Sequence, residues 1–386
     1  MALLNSTRGR AVVMVAHVAG MIDLVALPVW VGTLVQHYRY DFEQAGLTVT
    51  LFLLGVVAAS LLLAPRFMRL PRRMIAIAGY GVSAAAFLLA AASGERGVML
   101  ALHALAGLGA GCGLSITHGT IGRSPNPHRL FAMAGAALGG FAVLFYGVMP
   151  RIIATQGGSS LFVAMGSLMA LAALACFAFP DAAEAEEGAA PAARMSVSTR
   201  LAIAGVVCMT LNQAIIFSFL ERIGVTRGFG IANVNLVLAA IGLVNLLPAP
   251  LAALLQQRLS AVRVAITAPL VQAALALTIA ASPTFWPYAA AASVYAFVLI
   301  FAHTFLFGLL ARLDPGGRAV ALTPAMLMAG SAFGPALAGA LAQRVGFGGL
   351  GVATAVVALV ATACFVKVGR AEARIKPPVR MDSEAA

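Results

Sequence analysis

Apolar residues along this chain fill long unbroken runs, separated by short stretches rich in Arg, Asp, Glu, Pro and Gly. They neither alternate as in a half-buried strand nor keep to one stripe as in a surface helix. A helix needs about 20 apolar residues to cross a hydrocarbon layer of about 30 Å. The runs therefore predict spans near 11–35, 45–64, 74–93, 97–120, 131–154 and 159–179, then near 200–220, 231–256, 263–282, 287–311, 321–343 and 349–368. Between the two sets, 180–199 holds Pro180, Asp181, Glu184, Glu186, Glu187 and Pro191 and reads as a solvated linker. The expected architecture is an all-α membrane protein of roughly twelve helices. A six-helix half over 1–179 precedes the linker, and a second over 200–368 precedes a tail over 369–386.

Composition agrees with lipid as the solvent. Of the 386 residues 61% are hydrophobic and 10% charged, with a mean hydropathy of +0.97, whereas soluble domains carry about 25% charged residues. The net charge of +12 changes meaning in this setting. Its basic residues are scattered over short loops with no basic stripe, which argues against nucleic acid and for membrane orientation. With the N-terminus inside, 19 of the 25 basic residues fall in cytoplasmic segments, leaving outside only Arg39, Arg96, Arg151, Arg222, Arg227 and Arg344. Both termini are thus expected in the cytoplasm, with the chain in the plasma membrane, as in a bacterial inner membrane. The run after Arg8 and Arg10 is too long for the core of a cleaved signal and should stay as the first span. Cys112, Cys176, Cys208 and Cys364 all lie within apolar runs without metal-ligand spacing and read as packing residues.

The two sets repeat. Arg69-Leu70 recurs as Arg258-Leu259, Arg129 as Arg318 and Gly157 as Gly346, each displaced by 189, and Ala175-Cys176-Phe177 recurs as Ala363-Cys364-Phe365, displaced by 188. Matches in chain order at nearly one displacement indicate a duplicated six-span unit.

With these features the chain resembles the major facilitator superfamily. The most specific stretch is His103 with Gly107, Gly109 and Gly111 on span four, similar to that family's Arg followed by Gly-x-Gly-x-Gly, with His103 in place of the Arg. The loop from Ala64 to Arg73 resembles the family's basic loop, but Pro65 stands before Arg66 where an Asp is expected, and the following Gly is missing. Asp314-Pro315-Gly316-Gly317-Arg318, then Gly330, Gly334-Pro335 and Gly339, resemble loop ten and span eleven. Span five lacks the Gly-Pro pair common in antiporter members, which weakens that reading. The resemblance implies six plus six spans around a central cavity and a secondary transporter working by alternating access.

Asp23 carries the most chemistry. It lies twelve positions from each end of the first predicted span, about 18 Å from either surface at 1.5 Å per residue. A charged carboxylate there costs about 2.5–3.5 kcal/mol on insertion scales, or it takes up a proton. It either couples a proton or cation to transport or fixes helix packing. His103 is its expected partner, because it occupies the family's Arg position. His17, His118 and His303 also lie within spans and either exchange protons or bond neighbouring carbonyls. No i, i+4 pair supports a metal site. Asn212 and Gln213 on span seven and Asn245 on span eight either hold solute or bind helices together. Tyr146, Trp30 and Tyr295 are candidate aromatic walls. Glu221 and Arg222 end span seven on the outside as a gate or as a solvated pair. Gly107 with Gly111, and Gly135 with Gly139, have small-xxx-small spacing. Pro248, Pro250, Pro324 and Pro335 should kink spans eight and eleven.

The resulting expectation is a proton-coupled carrier of a small organic solute, monomeric, with no cofactor and no enzymatic activity. Asp23 and His103 handle the proton, and Asn212, His303, Asn245 and Tyr146 face the solute. Asp23 is expected to be the only deep acid, and no paired carboxylates or nucleophile-base spacing occur. The shortage of fixed positive charge in the spans disfavours multiply anionic solutes, and an apolar lining favours export over uptake. A membrane sensor or assembly partner that kept the fold without transport is the alternative. Topology reporters fused to each terminus should both report the cytoplasm; tails on opposite faces would rule out an even number of spans.

Overall fold

The structure is a computed structural model that describes residues 6–63, 70–122, 124, 127–179, 195–314, 319 and 323–375. Pro65 and Arg66 of the basic loop, Arg69, linker residues 180–194, Pro315 to Arg318 and the tail from 376 lie outside the described residues. The helices are α1 (Thr7–Gly20), α2 (Asp23–Gln36), α3 (Phe42–Leu63), α4 (Arg72–Ala92), α5 (Arg96–Gly122), α6 (Pro127–Gln156) and α7 (Ser159–Ala175) in the first half. The second half holds α8 (Val197–Thr226), α9 (Ile231–Val244), α10 (Pro248–Leu255), α11 (Ala261–Ala281), α12 (Phe285–Leu313), α13 (Thr323–Val345) and α14 (Phe347–Ile375). No strand occurs among the described residues.

Eleven of these segments, with α1 and α2 taken together, are long and apolar enough to span a membrane among the described residues. The twelfth expected span is split into α9 and α10, with a break at Asn245 to Leu247. Pro248 sits at the first position of α10, where its missing N–H removes no helical bond. The first span is also broken, at Met21 and Ile22, directly after Gly20 and six residues before Pro28, which itself stays inside α2.

Helix starts and stops reproduce the internal repeat. The Ser6 hydroxyl accepts from the Gly9 N–H at 3.0 Å, and the Ser196 hydroxyl accepts from the Thr199 N–H at 3.0 Å, capping the first helix of each half. Gly157 after α6 and Gly346 after α13 have φ of 87° and 74°, the left-handed region that lets a helix stop within one residue. Both glycines turn the chain directly into the last span of their half.

Within the first half, the Gly-x-Gly-x-Gly stretch of α5 works on two faces. Residues two apart on a helix point about 200° apart at 3.6 residues per turn. A Cβ at Gly107 would overlap the Phe52 carbonyl, and one at Gly111 would lie 2.7 Å from the Val56 Cα, both on α3. Gly109 faces α4, where a Cβ would stand 2.5 Å from the Gly79 carbonyl oxygen. The motif therefore lets α5 touch two neighbours at backbone distance. Gly139 presses on Leu246 of the other half, whereas a Cβ at Gly135 meets nothing within 4 Å, so the 135/139 spacing does not form one packing face.

The halves meet most closely toward one end, and Gly139 and Gly242 add a contact of α6 with α9 and the break after it deeper in the bundle. At the end carrying the loops before α3 and α14, Phe42 packs on Phe219 and Phe347, with ring centroids 5.7 and 5.4 Å apart. There Gly46 and Gly339 allow α3 and α13 to cross against the Pro335 and Phe42 carbonyls, and the Thr50 hydroxyl accepts from the Ala336 N–H at 3.0 Å. One buried apolar core runs through both halves at this level, including Trp30, Leu34, Phe219, Tyr288 and Leu350. Toward the end carrying the termini, the second half closes a separate core of its own, with Val206, Phe305, Leu306 and Phe365. The outward flanks expose apolar residues such as Leu62, Leu144, Leu254 and Leu359, suited to lipid tails.

Gly107→Leu should destabilise the protein by about 1–3 kcal/mol or prevent folding, because neither backbone can retreat. Gly135→Ala should leave stability unchanged or raise it by up to about 1 kcal/mol, since a helix interior favours Ala over Gly. Thermal unfolding in detergent distinguishes the two; equal effects would contradict the packing described.

Candidate functional site

The break at Met21 and Ile22 builds the most unusual site in the first half. Asp23 is the first residue of α2, so its carboxylate lies at the N-terminus of a half-helix whose first turn tightens, with the Leu24 and Val25 N–H groups donating to the Met21 and Ile22 carbonyls at 3.1 Å each. The carboxylate sits beside the backbone N–H groups of Asp23 and Leu24, is 2% exposed, and leaves Oδ1 with no hydrogen-bond partner. Two tyrosines brace the carbonyls on either side. The Tyr80 hydroxyl of α4 donates to the Ala16 carbonyl at 2.6 Å, and the Tyr146 hydroxyl of α6 donates to the Val25 carbonyl at 2.6 Å. Gly20 permits the approach, since a Cβ there would lie 2.8 Å from Leu114 and 3.0 Å from the Tyr80 hydroxyl.

His103 does not pair with Asp23 in this arrangement. Its Nδ1 donates to the Met99 carbonyl at 2.7 Å and its Nε2 accepts from the Trp30 indole N–H at 3.2 Å, which commits both ring nitrogens. Trp30 lies seven residues beyond Asp23, about 10 Å along α2, so His103 sits at a different depth from the carboxylate. Phe52, Phe87 and Phe162 complete a packed aromatic cluster around the Trp30–His103 pair. Trp30 is therefore core rather than cavity wall. His17 and His118, by contrast, do come together: their Nδ1 and Nε2 atoms are 3.0 Å apart and the rings stack.

In the second half, Asn212 is fully buried and neither atom of its amide has a partner, while its backbone carbonyl accepts from the Tyr295 hydroxyl at 2.8 Å. Beside it, Gln272 of α11 donates to the Met209 carbonyl at 3.2 Å, and its own Oε1 is unpartnered. Gln213 accepts from Gln272 at 3.5 Å, a helix-to-helix contact. His303 on α12 is half-buried and stacked on Phe307, with Nε2 unpartnered. Asn245 closes α9 at the break of the eighth span, and its Oδ1 is likewise unpartnered. Asn212, His303 and Asn245 make no hydrogen bond with one another.

Glu221 departs from the expected surface pair. α8 continues to Thr226, so Glu221 is inside the helix, 6% exposed, and its carboxyl fills the space beside Gly32 of α2. A Cβ at Gly32 would lie 2.7 Å from the carboxyl carbon. Asp23 is thus not the only buried acid among the described residues, although Glu221 lies near a helix end rather than mid-span. Arg222 forms no ion pair with Glu221, and its Nε has no partner. The residues missed in the sequence are Tyr80, Tyr288 and Gly32. A buried tyrosine hydroxyl must find an acceptor, which marks Tyr80 and Tyr288 as polar tips inside spans, but nothing in the pattern names the carbonyl each would reach.

No curated protein matches the chain. Among solved structures it resembles the crystal structure of a bacterial homolog to the human lysosomal transporter Spinster, in an inward-facing and unoccupied conformation. The two share 15% sequence identity, with 96% of this chain and 99% of that one covered and a TM-score of 0.70, which is a likeness of fold. The profile of the Major Facilitator Superfamily matches residues 12–316. A match over most of the chain, on a twelve-span helical frame, settles the class: this is an integral membrane transporter, and it belongs to the Major Facilitator Superfamily.

Proposed function

We propose that this transporter is a proton-coupled carrier of a small organic solute, with Asp23 as the group that loads and releases the proton. The observation that carries this reading is the Asp23 carboxylate itself: 2% exposed, at a helix break, with Oδ1 unpartnered and no cation bonded to it. A buried carboxylate without a counter-charge takes a proton, and intramembrane acids mark ion pathways by default. Helix breaks are also where transporter chains place binding groups, because unwound backbone is tolerated only beside a cavity or a protein neighbour.

The halves would rock about the sealed end described above, alternating the face to which the site opens. With both termini in the cytoplasm, the unsealed end faces inward. Asn212, His303 and Asn245 each hold polar atoms without protein partners, which suits them to a solute with donors and acceptors of its own. No Lys or Arg bonds these groups, so a neutral, weakly acidic or hydrophobic cationic molecule fits better than a phosphorylated one, with export favoured over uptake. His103 contributes by fixing Trp30 on α2 rather than by touching Asp23. The protein is taken to act as a monomer.

A thermal-shift screen of organic solutes at two pH values should identify compounds whose stabilisation depends on pH. In vesicles loaded with such a compound, Asp23→Asn should abolish proton-driven accumulation while leaving downhill exchange in place. Unchanged proton-driven flux in Asp23→Asn would refute the assignment, and absence of any flux in the parent protein would favour a sensor.

A further inference from the structure

Glu221 is a second buried acid, far from Asp23 along the bundle and placed where the two halves touch. Its carboxyl lies against the backbone of α2 at Gly32, the one position there whose lack of a side chain leaves room for it. Two residues earlier on the same helix, Phe219 packs edge-on against Phe42 and tilted against Phe347 in the seal between the halves. The Tyr288 hydroxyl donates to the neighbouring Leu220 carbonyl at 2.8 Å, which fixes the α8 backbone at this level. Glu221 is thus held by the closed contact of α2 with α8 and is buried because that contact exists.

The ionisable groups facing it are Arg222 on its own helix, Tyr146 on α6 and Tyr288 on α12. Tyr146 and Tyr288 already donate to backbone carbonyls, and Arg222 makes no ion pair with it. Of the other helices packed on α8, α9 carries no ionisable side chain, and Arg263 on α11 and Lys367 on α14 lie toward the opposite end. Arg344 on α13 is exposed and forms no ion pair with Glu221. Arg222, the one cation facing it, lies beyond ion-pair distance and offsets a negative charge here only in part, and burying an ionised carboxylate without a hydrogen-bonded partner is disfavoured. Parting α2 from α8 would bring water to the same group and remove that cost.

We propose that Glu221 is a proton-binding site of the interface, loaded while the loop end is sealed and released to water when that end opens. It rests on the alternating-access reading, but it assigns a proton to a different residue and a different face from Asp23. Sealing of the loop end then requires one proton, independently of the solute and of the proton carried by Asp23.

The test uses the full-length protein in lipid vesicles, with spin labels at Gln156 and Thr284, exposed residues at the loop end of opposite halves. Distances between them, measured from acid to alkaline pH, report whether that end is sealed. In the parent protein the sealed-to-open ratio should fall by up to about tenfold per pH unit above the titration of one site. Glu221→Gln, and equally Glu221→Met, should stay sealed throughout the range, since both remove the charge and keep the length. Asp23→Asn should retain the parent's dependence even though it loses proton-driven flux, which separates failure of this proposal from failure of the Asp23 assignment. A parent protein whose distances ignore pH, or a Glu221→Gln or Glu221→Met protein that titrates like the parent, overturns it.

Discussion

In hydrocarbon no water is present to satisfy a free backbone N–H or carbonyl, so every departure from a continuous helix must be met by a neighbouring group. The first span departs from helicity at Met21 and Ile22, near the middle of its length, and the rest of the half is arranged to tolerate it. Tyr80 and Tyr146 reach in from α4 and α6 to the Ala16 and Val25 carbonyls. Gly20 keeps the break thin enough for α5 and Tyr80 to close against it. The carboxylate of Asp23 lies beside the Asp23 and Leu24 N–H groups at the start of α2. The break and the buried acid thus share one neighbourhood, framed by Tyr80 on one side and Tyr146 on the other.

The second half uses similar means without the same break. α8 is continuous from Val197 to Thr226, and Tyr288 and Tyr295 of α12 donate to its Leu220 and Asn212 carbonyls. The irregular element lies instead at Asn245 to Leu247, between α9 and α10. Duplication supplied two equivalent frames, capped alike at Ser6 and Ser196 and turned alike at Gly157 and Gly346. The interruptions fall in different spans of those frames. Within the first half, glycines bring backbones together at α3–α5 and α4–α5; between the halves, Gly46 and Gly339 do the same toward one end, while the second half closes a core of its own toward the other. That division suits rigid halves rocking on a shared seal.

Much of this was legible in the residues themselves. Runs of about twenty apolar residues and the displacement near 189 point to roughly twelve helices in two halves, because lipid imposes a length and a polarity that few sequences meet by accident. The placement of Asp23 at mid-membrane depth and the kink at Pro248 were readable for the same reason: depth and proline chemistry are local properties. Partnership is not local. Whether His103 meets Asp23 or Trp30 depends on rotation and depth of α5 against α2, and only the packing of Phe52, Phe87 and Phe162 around the indole decided it. Whether Glu221 is a solvated end residue or a buried acid depends on α8 running five residues further and on Gly32 of a distant helix leaving room. The sequence by itself determined a bundle of roughly twelve long apolar helices and which polar groups lie within them. The tertiary structure decided which of those groups are satisfied and which remain without a partner, because a hydrogen bond between helices requires two side chains from distant parts of the chain to arrive at one depth and one face.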